Sequence, residues 1–85
     1  MNLYECRFIE QDWVCYVFAE TRGKAKCLFN KEWGNGAEDF IWVRCRLIGR
    51  NAPIETPTIV DREGHKDYPV VLALGGGFEP DENEK

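Results

Sequence analysis

The chain has 85 residues, 44% of them hydrophobic, and a formal charge of −4. That is one domain, small enough to bury only about 60–65% of its unfolded surface. No apolar run approaches the roughly 20 residues that cross a bilayer, so no membrane association is expected.

The N-terminus lacks a basic start and an unbroken apolar stretch, so the reading is a cytoplasmic protein without a signal peptide. Reduced thiols follow for Cys6, Cys15, Cys27 and Cys45, which contain no CxxC pair. The charge is unevenly placed. Glu79, Asp81, Glu82, Glu84 and Lys85 together carry −3, while residues 21–50 hold seven Lys/Arg against three Asp/Glu. The organisation expected is a single domain over 1–78 and an acidic, flexible tail over 79–85.

Residues 3–9 alternate, with Tyr4, Cys6 and Phe8 on one side and Glu5 and Arg7 on the other, as in a half-buried strand. After a polar break at 10–12, residues 13–19 are almost wholly apolar, as in a strand covered on both faces. The two should form an antiparallel hairpin.

Thr21 is a plausible N-cap. Ala25, Leu28, Phe29 and Trp33 then follow at helical spacing, and Arg22, Lys24, Lys26 and Lys31 read as a solvated face. Cys27 falls on the polar side. Gly34, Asn35 and Gly36 should end the helix in a left-handed turn.

Residues 40–48 alternate again. Val43, Cys45 and Leu47 point one way; Trp42, Arg44, Arg46 and Ile48 point the other. The helical crossover makes the second and third strands parallel. The third can lie beside either of the first two. Periodicity is lost after Gly49. Residues 61–64 read as a turn, 68–74 as a fourth strand that adds to the sheet or pairs with another subunit, and 75–77 as a flexible glycine turn. The class expected is α+β: a small ββαβ(β) domain with a mainly antiparallel three- to four-stranded sheet and one helix packed on one face.

Two stretches carry a resemblance. Residues 13–26 join an aromatic strand to the helix start Ala19-Glu20-Thr21-Arg22-Gly23-Lys24-Ala25-Lys26. Residues 40–46 are an arginine-alternating strand, Phe40-Ile41-Trp42-Val43-Arg44-Cys45-Arg46. Together they resemble a group of small uncharacterised phage and prophage proteins, over about residues 3–50; the last 35 residues match poorly. The resemblance implies an origin, a phage accessory protein, in a class that includes inhibitors of bacterial immunity. It implies no activity.

Arg7, Arg44 and Arg46, with Trp42, should project from the sheet face that the helix leaves open. Arginine beside an aromatic side chain marks protein–protein hot spots and also binds phosphates and stacks on bases. The structural alternative is that Glu5 and acidic neighbours pair with these arginines. Asp61, Glu63, His65 and Asp67 could offer metal ligands, but their spacing fits no established loop. Gly75–Gly77 lacks the helix that a phosphate cradle opens. There is no serine, and a Cys–His pair would need the single histidine to meet one thiol. The function expected is therefore non-catalytic and cofactor-free, with no metal: a binding protein that meets a host protein partner, as an inhibitor of a defence factor. The alternatives are an oligomeric, nucleotide-sequestering protein and a minor structural or assembly protein. A homo-oligomer is expected, because self-association would supplement a small core.

Overall fold

The computed structural model describes residues 1–34, 36 and 40–78. Strands β1 (Asn2–Phe8), β2 (Cys15–Ala19), β3 (Val43–Gly49) and β4 (Thr58–Val60) form one sheet in the order β3-β1-β2-β4. Every neighbouring pair is antiparallel. Helix α1 (Arg22–Trp33) connects β2 to β3. Inserting β1 between them leaves β2 and β3 parallel but not adjacent, so the third strand lies beside the first. The chain is a small α+β fold.

Alternation divides the core in two. On one face Tyr4, Cys6, Cys15, Val17, Ala19 and Val43 pack under Ala25 and Phe29 of α1. Thr21 caps the helix by accepting the Lys24 amide at 3.1 Å. Gly34 ends it in extended backbone, φ −90°, rather than in the expected left-handed turn. Its glycine has a packing reason, since a Cβ there would collide with the side chain of Asn30.

On the other face Leu3, Tyr16, Phe18 and Val60 pack beneath Ala52, Tyr68 and Val71. The chain returns over this face after β3. Asn51 takes the left-handed turn, φ 59°, and the Ala52 amide donates to the Met1 carbonyl at 2.7 Å.

Four expectations need correction here. Residues 68–74 are not a strand but hold a short helix, α2 (Tyr68–Ala73). Pro69 explains it: proline pre-sets φ for a helix's first turn and would remove a ladder donor from a strand. Tyr68 and Val71, three apart, make the buried side. The fourth strand is instead Thr58–Val60, in a stretch without visible periodicity, pairing with β2 from Tyr16↔Val60 to Phe18↔Thr58. β2 and β3 also start later than expected: Trp13 and Val14 precede β2, and residues 40–42 precede β3, with 41 and 42 in a turn and the Trp42 carbonyl accepting the Ile9 amide at 2.8 Å. Lastly, the glycine run is packed rather than a bare turn: a Cβ on Gly76 would meet Tyr16 at 2.8 Å and Val71 at 2.9 Å. The acidic tail expected over 79–85 lies outside the described residues. No helix among those described is long and apolar enough to cross a membrane.

Candidate functional site

The C-terminal segment covers one end of the second sheet face and stops there. Glu5 and Arg7 of β1 and Arg44 and Arg46 of β3 occupy the uncovered end, around a depression of about 470 Å³ that Val14 also borders. The sequence pattern places these arginines together, and the ladder sets Arg7 directly opposite Arg44 and Glu5 opposite Arg46.

The three guanidinium groups are held differently. Arg46 Nη2 lies 3.3 Å from Glu5 Oε1, in a pair whose arginine side chain is 71% exposed. Such a pair contributes at most about 1 kcal/mol. Arg44 Nη1 donates to the carbonyls of Ile41 (3.0 Å) and Val43 (3.1 Å), closing the turn before its own strand. Arg7 is exposed and makes no ion pair among the described residues. Trp42 is 45% exposed in the turn before β3 and does not line the depression. Among the described residues the structural alternative, pairing with acidic neighbours, therefore holds for Arg46 alone; Arg44 is held by backbone carbonyls instead, and Arg7 by neither.

Glu5 joins this depression to a second, larger one. Tyr16 Oη donates to the Gly77 carbonyl at 2.7 Å and lies 3.3 Å from Glu5 Oε2. Beyond it, at the end of the sheet where β2 begins, is a cleft of about 640 Å³. Its aromatic lining is Trp13, Trp33, Tyr16 and Phe78, and its carboxylates are Glu5, Asp12 and Asp61. The indoles of Trp13 and Trp33 meet edge to face with centroids 5.5 Å apart, and Tyr16 meets Phe78 likewise at 5.3 Å. Phe29 ties the first pair to the core, 5.8 Å from Trp13 and 4.9 Å from Phe8.

Sequence reasoning read Trp13 and Trp33 as core positions, yet they are 41% and 40% exposed. The available signal was their place at element ends: Trp13 adjoins the polar break before β2 and Trp33 is the last residue of α1.

The thiols are set by burial and charge. Cys15, Cys6 and Cys45 stand abreast on three adjacent strands, on the side facing α1. Burial, with Asp61 and Glu32 nearby, pushes the Cys15 thiol up to about 12, although the Trp33 side chain hydrogen-bonds to it. Cys6 is pushed well up by its bond to Cys45 and by burial, and Cys45 is lowered by accepting that bond. Cys27 is exposed on the helix.

His65 serves its own turn. Its Nδ1 accepts the Asp67 amide at 3.0 Å and lies 4.0 Å from Asp67 Oδ2. No group of three His, Cys, Asp or Glu residues among those described is placed to hold a metal ion. Comparison with protein-family models, characterised proteins and solved structures finds no match to this chain.

Proposed function

We propose that the chain is a non-catalytic accessory protein of phage type that binds an acidic surface of a host protein through Arg7, Arg44 and Arg46, and so inhibits it. The phage assignment, the cytoplasmic setting and the choice of a defence factor as target rest on the sequence resemblance and pattern. The binding face rests on one observation: Arg7 stands across from Arg44 on the half of the sheet that the chain does not cover. Two cations directly opposite in a ladder destabilise the fold. A partner's carboxylates would relieve that repulsion, and arginine is suited to bidentate pairing with them.

A nucleotide ligand fits less well. Glu5 lines the same depression and would repel a phosphate, and Trp42 is not there to stack a base. Self-association remains part of the reading: β3 is a seven-residue edge strand, and such an edge is a template for pairing.

The test is recovery of a partner from host lysate on immobilised protein. Arg7→Glu should abolish recovery while the fold persists, and undiminished capture would exclude this face. Thermal stabilisation by a nucleotide panel would favour the sequestering alternative. A native mass measurement giving only monomer would remove the oligomer.

A further inference from the structure

We propose that the cleft lined by Trp13, Trp33, Tyr16, Phe78 and the carboxylates of Glu5, Asp12 and Asp61 receives an arginine side chain from a partner protein. This goes beyond the arginine face and stands whether or not that face binds anything.

The charge is of one sign. Three carboxylates from three separate segments line the space, and among the described residues no lysine or arginine does. Of the three, Asp61 adds to burial in raising the Cys15 thiol, which also lines the cleft; Glu32, outside the cleft, acts in the same sense. Two of the carboxylates have partners, but on arginine arms that are mostly in solvent: Arg46 on Glu5 and Arg62 on Asp61 are 71% and 70% exposed. Arms so solvated are readily displaced.

The shape selects among cations. The acids do not converge closely enough for a metal ion among the described residues, so a point charge is poorly served. They surround an aromatic space of about 640 Å³, within the usual range of about 300–1,000 Å³ for ligand sites. A broad, weakly hydrated cation suits aromatic walls, and guanidinium is planar, stacks on indole and bonds carboxylates in pairs. Free arginine is disfavoured because its own carboxylate would enter the same acidic cleft. An arginine within a polypeptide lacks that charge.

The test follows the indole N–H resonances of the intact protein while a blocked Gly-Arg-Gly peptide is added. Trp42, which does not line the cleft, is the internal control. The Trp13 and Trp33 signals should shift saturably and the Trp42 signal should stay. The neutral isostere Gly-citrulline-Gly should move none of them. Asp12 is exposed before β2, so Asp12→Asn should keep the amide spectrum and weaken binding about three- to ten-fold. Arg7→Glu should leave the titration unchanged, which separates this cleft from the arginine face. No saturable shift, equal shifts with citrulline, or full affinity in Asp12→Asn would overturn the proposal. Equal affinity for Gly-Lys-Gly would overturn the choice of guanidinium.

Discussion

Arg7 and Arg44 face each other across the β1–β3 ladder, and Arg44 turns its guanidinium away, onto the carbonyls of Ile41 and Val43. Repulsion and the need to close the turn both favour that posture. Arg7→Glu replaces a like-charge pair by an opposite one, a change of about 0.5–1 kcal/mol in favour of the fold. In a domain this small the melting temperature should rise by about 2–8 °C. The same variant should lose the partner proposed for this face. A thermal melt that stays level or falls would show that the Arg7–Arg44 repulsion is already screened.

Tyr16 fastens the C-terminal segment to the sheet. It is buried, its hydroxyl donates to the Gly77 carbonyl, and the Phe78 ring lies edge-on to it. Tyr68 helps from the other side, accepting the Phe78 amide at 3.0 Å and stacking on the Phe78 ring. Tyr16→Phe removes only the hydroxyl and should cost about 1–2 kcal/mol in urea unfolding. Amide exchange should accelerate most around residues 76–78. An unaltered exchange pattern there would mean that the ring contacts alone hold the segment.

How much of this was legible depended on burial that repeats. β1 and β3 bury one side and expose the other, so Cys6 and Arg7, or Cys45 and Arg46, announce their faces by alternation. The stripe of Ala25, Leu28 and Phe29 does the same for α1. β4 has three residues, too few to show a period. The six residues of α2 are mostly apolar, and a short apolar run reads equally as a buried strand; Pro69 was the clue that decides it. The arginine face was legible because alternation puts Arg7 of β1 and Arg44 and Arg46 of β3 on one side of the sheet; that the two strands are neighbours in register was not. The cleft was not, because Asp12, Trp33, Asp61 and Phe78 come from four parts of the chain and meet only through tertiary packing.

The four thiols should separate by accessibility. Cys27 is exposed, Cys45 is half-buried and the more acidic partner of its pair, and Cys6 and Cys15 are buried. The thiolate is the reacting form, so native alkylation at pH 8 should mark Cys27 first and Cys45 more slowly. Cys6 and Cys15 should react only on unfolding. Peptide mass mapping over a time course reads the order directly. Early labelling of Cys15 would show that the Trp13–Trp33 wall opens in solution.

Alkali should weaken the fold through Cys15 and Tyr16. Free in the unfolded chain, the Cys15 thiol ionises near its ordinary value of 9.0; folded, it holds its proton to about 12. Burial raises Tyr16 as well, above its ordinary 10.0. Both groups are acids kept neutral by folding. Their contribution is complete below the unfolded values and is lost as pH climbs toward the folded ones. Between pH 9 and 12 the unfolded chain releases the Cys15 proton that the native chain keeps, so through this group stability should fall by up to about 1.4 kcal/mol per pH unit. Tyr16 acts in the same sense once pH passes its ordinary 10.0. Cys45, lowered by Cys6, works in the opposite sense, so the informative quantity is a difference between variants. Cys15→Ala should lose a roughly constant packing increment at all pH values and show a flatter decline above pH 9. Urea midpoints measured from pH 7 to 11 decide it. Parallel curves for the variant and the parent would mean that Cys15 is not held neutral by the fold.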